Sequence, residues 1–390
     1  MRSPALRHVL IHLVTPLLMC LGMGLAYMGA FVTPEPHHLP VAVVGTGPQA
    51  KVFAQTVKDA AGDRLDVRTV GSRERAVALL TSRDVDGAYV PGTGTGAHTG
   101  TGAHTGTGTG TGTGGAGAPE LIVASAGSDM SATAVEKVFT PVAARQGLPL
   151  KVTDVVRPSP HDPTGQGLFF LLVALSIGSY ASVAALGAAG AALPMRVRAL
   201  LTVAVSAVVA GLGALLAGPV FHLAPHGLAG VWGMAWLYSA GILFIGVGLH
   251  TFLKRWTTLT MMVLFVMLNF TSSGGLFRPE LQNGFFGTLH AFWNGAGFVE
   301  GARSLLYFGG DGLGRHLWTL AGWVLLGLAV TALAAAYERL TAPGSRGAHA
   351  AGGPHGAAAA ALPAAPAGRE AAADAVEEEA EEEAEETVAV

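Results

Sequence analysis

Apolar and polar positions along this chain fall into two regimes. Six segments, roughly 9–32, 166–192, 199–221, 228–252, 257–272 and 317–337, run apolar with no charged residue inside them. A bilayer core about 30 Å thick takes roughly 20 apolar residues of helix, so each segment predicts a transmembrane helix. The fifth is short and runs into polar Asn269, Thr271, Ser272 and Ser273. Residues 33–163, between the first and second segments, are patterned differently: short apolar runs alternate with amphipathic stretches. They predict strands at 40–44, 65–70, 85–90, 120–125 and 150–155, and helices at 48–61, 72–82 and 129–146. Ser72 stands where a helix N-cap is needed. The expected fold is a polytopic α-helical membrane protein of six transmembrane helices, with a small extracytoplasmic α/β domain between the first and second.

The first segment also invites a signal-peptide reading, since Arg2, Arg7 and His8 precede it. Its apolar stretch outruns the roughly 7–15 residues of a signal h-region and passes the small-residue site Gly24-Leu25-Ala26, which favours an uncleaved anchor. Leu17-Leu18-Met19-Cys20 resembles a lipoprotein box, but Met19 is too large for its position. Orientation follows the basic residues. Arg2 and Arg7, Arg196 and Arg198, Lys254 and Arg255, and Arg339 all fall on one side if there are six spans. Both termini are then cytoplasmic in the plasma membrane. The divisions are a cytoplasmic 1–8, the span 9–32, the outer domain 33–163, a five-helix membrane region 164–340 and a tail 341–390.

Composition agrees. Charged residues make up 13% of the 390, half the roughly 25% of soluble domains, and mean hydropathy is +0.47. The net charge of −3 hides an acidic tail, net −8 over 341–390, against a body of +5. The basic groups are scattered or flank apolar runs, which is no nucleic-acid footprint. Cys20 is the one cysteine, so no intrachain disulfide forms. Residues 92–117 are dominated by Thr-Gly, with Ala-His-Thr-Gly-Thr-Gly at 97–102 and again at 103–108, and predict a disordered insert. The tail, Ala/Pro-rich and then acidic, predicts disorder as well.

Few motifs carry chemistry. Gly45-Thr46-Gly47-Pro48-Gln49-Ala50 follows a strand in the manner of a dinucleotide fingerprint. Asp63 comes too early and Asp66 falls within the next strand, so a plain strand-to-helix turn opened by Pro48 accounts for it. Gly45 to Lys51 fails as a phosphate loop because Ala50 and Val52 replace the required glycine and hydroxyl. His98 and His104 are weak metal ligands at most. There is no His-Glu-x-x-His, no Gly-x-Ser-x-Gly and no carboxylate pair within a span. No cofactor, no metal site and no catalytic residue is expected. His12 and His250 sit in or near spans, and His12, one turn into the first helix, is read as snorkelling or bonding a neighbour. Small residues in the second and third spans (Gly187, Gly190, Gly211, Gly213, Gly218) predict close helix packing.

The most informative stretch is 273–314. It is too polar to cross a bilayer and too aromatic to lie free in water, with Phe285, Phe286, Phe292, Trp293 and Phe298, so it predicts an outer re-entrant or interfacial segment. Ser272, Ser273, Gly274, Gly275, Pro279, Glu300, Arg303, Tyr307 and Phe308 outline a Ser/Gly start, a proline and a Glu-x-x-Arg-x-x-x-Tyr-Phe end. With Ala76–Leu80 and Val85–Val90, this layout resembles the type-2 ABC exporter permeases, especially the YhgE/phage-infection-protein group. The resemblance covers about residues 2–340. It implies a permease subunit, a homodimer in the bilayer, that exports an amphipathic, lipid-like or cell-envelope compound with a separately encoded ATPase. It makes Asn269, Ser272, Ser273, Glu300 and Arg303 the candidate substrate-path or re-entrant residues. Arg196, Arg198, Lys254 and Arg255 become the candidate ATPase contacts. The loop around Arg196 is very short for that purpose, which leaves a second reading: a non-transporting scaffold or receptor whose outer domain binds an envelope partner. Glu300 and Arg303, three apart on a helix, predict an ion pair at the outer surface.

Overall fold

The computed structural model describes residues 21–31, 34–92, 117–145, 147–188, 190 and 192–341. His12, Cys20, most of the insert 92–117 with its histidines, and the tail lie outside the described residues.

Five strands form one sheet in the order β2-β1-β3-β4-β5. β1 (Leu39–Val44) runs parallel to its two neighbours, β2 (Leu65–Val70) and β3 (Gly87–Val90). β4 (Glu120–Val123) pairs antiparallel with β3, and β5 (Lys151–Asp154) parallel with β4. A largely parallel sheet must be covered on both faces. Val41, Tyr89 and Leu121 point to one face, where α2 (Pro48–Ala61) and α4 (Asp129–Arg145) bring Val57, Val135 and Phe139. Tyr89 stacks between Phe53 and Phe139, with ring centroids 5.3 and 4.8 Å away. Ala42, Ala88 and Ile122 point to the other face, where α3 (Arg73–Thr81) packs Ala76 and Leu80. The Ser72 hydroxyl caps α3, accepting from Arg75 N at 3.2 Å.

The turn from β1 into α2 needs glycine at 45. Its φ is +151°, and a Cβ there would lie 2.5 Å from that of Ala50. Gly45 N donates to Val70 O, at one end of β2, while Asp66 pairs with Pro40 near the other. At about 3.3 Å per residue the acid sits roughly 13 Å from the glycine turn, out of reach of a ribose held there.

Four helical runs are long and apolar enough to cross a membrane: Gly167–Gly187, Met195–Val220, Leu228–Ser272 and Leu313–Thr341. The second and fourth turn leucine and valine outward along their length, with Leu200, Val208, Leu212, Leu325 and Leu333 more than half exposed. Those side chains suit lipid and not water. Exposed aromatics stand at both ends: Trp256, Phe252 and Tyr337 at one, Trp318, Phe221 and Phe285 at the other. Such belts mark bilayer interfaces.

The third run is 45 residues long but folds back on itself. α7 (Leu228–Leu253) ends at Lys254, whose φ of +46° reverses the chain. α8 (Thr257–Met262) then returns through a π-helical turn, Val263–Met267, to α9 (Leu268–Ser272). Straight helix would hold Tyr238 and Asn269 about 46 Å apart; instead Asn269 Nδ2 donates to Tyr238 Oη at 2.6 Å. Beside α7 stand α5 (Gly167–Ala188), α6 (Met195–Leu215) and α12 (Leu313–Thr341). The helix Leu21–Phe31, α1 here, packs along the α8–α9 arm. Its Gly22 lies against Met267, and Gly29 O accepts from Asn283 Nδ2 at 3.1 Å.

Segment 273–314 holds two short helices, α10 (Gly284–His290) and α11 (Asn294–Tyr307). Every residue of α11 except Leu305 and Tyr307 is buried, enclosed by α5, α7, α9 and α12. Of the five aromatics, Phe286, Trp293 and Phe298 are buried and only Phe285 and Phe292 face outward. The polarity of this segment serves an internal hydrogen-bond system.

Candidate functional site

The junction of the sheet with the helices concentrates buried charge. The turn after α3 holds Arg83 in the left-handed region, φ +61°, unusual for a residue with a side chain. That turn is tied by Ser82 Oγ donating to Asp84 Oδ2 at 2.6 Å. Arg83 thereby leaves the sheet domain and enters the bundle. Its Nη1 donates to Glu300 Oε2 at 2.5 Å, Nη2 lies 3.4 Å from His316 Nε2, and its guanidinium sits 5.4 Å over the Phe308 ring.

Glu300 on α11 is 7% exposed and takes a second cation, Arg303 Nη1, on Oε1. Arg303 also donates from both Nη atoms to Gly274 O at 3.4 Å. Gly274 has φ +73°, and a Cβ there would meet His290 Cε1 at 2.6 Å, so only glycine brings that carbonyl to the arginine. His290 Nδ1 lies 2.9 Å from Ser272 O, and the Ser273 hydroxyl accepts from Gly275 N at 3.2 Å. The predicted Glu300–Arg303 pair therefore exists, but it is a buried clamp on the 273–278 loop, not a surface pair. A second arm runs beside it. Arg278 Nη1 donates to Asp86 Oδ1 at 2.7 Å, and its Nε lies 3.3 Å from Glu280 Oε2. Glu280 O accepts from His37 N at 2.6 Å. Arg83, Arg278 and Arg303 thus face Asp86, Glu280 and Glu300, three cations against three anions.

Burial alone would raise the Glu300 carboxyl, but Arg303 and then Arg83 outweigh it and hold the group well below the usual carboxylate range. Asp86 goes the other way: burial pushes it up to about 6 although Arg278 opposes the rise. The difference lies in partners. Glu300 has two guanidiniums of its own, whereas Asp86 shares one with Glu280, and its Oδ2 makes no hydrogen bond. His290, buried, is pushed down. A hollow of about 210 Å³ beside the cluster is lined by His290, Glu300, Arg315, His316 and Thr319.

Asn269 lies deeper. Besides Tyr238 Oη, it accepts on Oδ1 from Gly295 N at 2.7 Å, and Ser176 Oγ lies 2.5 Å from the same Tyr238 hydroxyl. One amide thus joins α5, α7, α9 and α11. At the end remote from the sheet, Arg196, Lys254 and Arg255 are exposed. Arg198 is not: it is 5% exposed and pairs with Glu338 of α12, whose Oε1 also accepts from Thr251 at 3.0 Å. Its guanidinium is committed to Glu338 within the chain.

The comparisons add no relative. No family model, no curated protein and no solved structure matches this chain.

The sequence reading reached Glu300, Arg303, Ser272, Ser273 and Asn269 but missed Arg83, Asp86, Arg278, Glu280, His290 and His316. Arg83 and Asp86 read as ordinary surface charges of a water-soluble domain. One signal was present: Asp86 interrupts Val85-Asp86-Gly87-Ala88-Tyr89-Val90, an otherwise apolar strand. Among the described residues, no group of three His, Cys, Asp or Glu is placed to hold a metal ion. What the arrangement does is mechanical. It fastens a domain to a bundle through charges that cannot be exposed one at a time without cost.

Proposed function

We propose that this chain is the membrane-spanning subunit of an exporter powered by a separately encoded ATPase, moving an amphipathic, lipid-like or envelope compound. In this reading it has six spans in the plasma membrane, both termini in the cytoplasm, the sheet domain outside, and works as a homodimer. The observation that carries the reading is the buried charge cluster. Arg83 and Asp86 of the sheet domain are locked to Glu300 and Arg278 of the segment that closes the bundle. Movement of the helices must therefore move the outer domain, as a lid or docking platform would require. The cluster stands at the sheet end, and exposed Arg196, Lys254 and Arg255 stand at the other, where an ATPase would push.

Affinity purification from native membranes in mild detergent tests this. The expected result is a co-purifying ATPase whose recovery is lost when Arg196, Lys254 and Arg255 are changed to glutamate. Recovery of envelope proteins with no ATPase would overturn it in favour of a scaffold. One feature favours that second reading: a groove of about 520 Å³ between α2 and α4, floored by Val57, Val138 and Val142 and rimmed by Arg64, Lys137 and Arg145.

A further inference from the structure

The bundle end remote from the sheet contains a cavity of about 700 Å³, within the roughly 300–1,000 Å³ of small-ligand pockets. Its walls differ in kind. Tyr180 and Val183 of α5 and Met261 of α8 make one side apolar. Arg198 and Glu338 make the other, and Lys254 and Arg255 stand at the mouth. Glu338 offsets Arg198, accepting on Oε1 from it and from Thr251. Lys254 and Arg255 have no acidic partner among the described residues. The Arg198 guanidinium stands behind them, buried against Glu338.

The level of the cavity narrows the ligand. Arg255 lies 5.5 Å over the ring of Trp256, which is 46% exposed, and Phe252 and Tyr337 stand beside each other nearby, centroids 5.4 Å apart. Those aromatics are at interface depth. An apolar wall below two unpaired cations at that depth matches one chemistry: a phosphate ester whose acyl chains follow the helices into the bilayer.

We infer that this cavity binds the phosphate headgroup of an anionic phospholipid. Lys254 and Arg255 neutralise the charge, and the chains leave the cavity beside half-buried Tyr180 of α5. The inference needs only that the helices are embedded in lipid, so it stands or falls apart from the exporter reading.

The test uses the full chain in neutral detergent, titrated with phosphatidylglycerol, phosphatidylcholine or inorganic phosphate. Retention is read by native mass spectrometry and the unfolding midpoint by thermal shift. Wild type retains phosphatidylglycerol and gains midpoint with it alone. Each basic group near a membrane surface contributes about a factor of five, so K254Q/R255Q weakens retention about thirtyfold. R196Q, at the same end but outside the cavity, stays within about twofold. All three changed residues are exposed, and monodisperse elution checks that the variants fold. Equal retention of both lipids, or unchanged retention by K254Q/R255Q, overturns the inference. The same midpoint gain from inorganic phosphate overturns the lipid assignment in favour of a free anion. Loss of a co-purified ATPase from K254Q/R255Q with lipid retention intact gives the surface to a protein partner instead.

Discussion

Glu300 is the residue on which the junction turns. Two guanidiniums from different elements meet on its carboxylate, and removing it leaves both buried and uncompensated. Breaking one partner of a buried pair costs about 3–5 kcal/mol. Glu300→Gln is therefore expected to lower the unfolding midpoint sharply, and Arg83→Gln nearly as much. If the pair acts directly, a thermal double-mutant cycle in detergent gives a coupling of about 1–3 kcal/mol; additive losses would dissolve the latch. Asp86 makes the opposite pH statement. Its folded pKa, near 6, lies above the ordinary value near 3.9, so the folded state holds the proton more tightly. Its contribution is fully present below about pH 4 and lost as pH rises through 6, a fall of up to about 3 kcal/mol. Glu300, depressed, contributes fully above about pH 5 and loses its share progressively as pH falls below that. His290, pushed down, gains stability over the same window in both proteins, so the test is the difference: from pH 4 to 7 the midpoint of Asp86→Asn should rise relative to that of the wild type.

At the scale of elements, small residues decide which helices touch most closely. Gly241 and Gly248 of α7 face Gly327 and Thr331 of α12. A Cβ at 248 would lie 2.8 Å from Thr331 N, and one at 327 would lie 2.7 Å from Phe244 Cβ. The Thr331 hydroxyl donates to Phe244 O at 2.8 Å. Gly211 on α6 has open space around it. Gly248→Leu or Gly327→Val should cost about 1–3 kcal/mol or more by overpacking, while Gly211→Ala should be neutral or slightly stabilising. Thermal unfolding of the three variants in one detergent separates them. This contact also marks a limit of legibility. The eight strands and helices of the sheet domain were readable to within two residues, because strand alternation, Ser72 and Pro48 are local signals. Gly187, Gly213 and Gly218 were rightly marked for close packing, since each abuts a side chain of a neighbouring helix. The tightest seam, α7 against α12, was not marked, because nothing local shows which helix another will meet. The charge cluster escaped for the same reason. Arg83 and Glu300 are 217 residues apart, and each looks solvated until the two surfaces close.

For the molecule as a whole, the helices alternate in direction, so the sheet and the basic residues Arg196, Lys254, Arg255 and Arg339 lie at opposite ends. α5 ends where α6 begins, beside His250 and Glu338, and α6 ends where α7 begins, beside Leu305 and Leu306 of α11. Between residue 52 in the sheet domain and residue 258 at the start of α8 the chain therefore traverses the bundle three times. An odd number puts the two positions on opposite sides of a membrane, whatever the first apolar segment does. With Cys20 replaced by serine, Val52→Cys and Thr258→Cys, both at exposed positions, should label oppositely with an impermeant maleimide: the first in intact cells, the second only after permeabilisation. Labelling of both in intact cells would break the three-crossing count. The reverse pattern would keep the count and invert the orientation, moving the sheet domain inside and taking the exporter layout with it. Ser3→Cys adds the remaining crossing. Protection in intact cells and labelling after permeabilisation means that residues 9–32 cross as an anchor, whereas loss of the label from the mature protein means that they are cleaved.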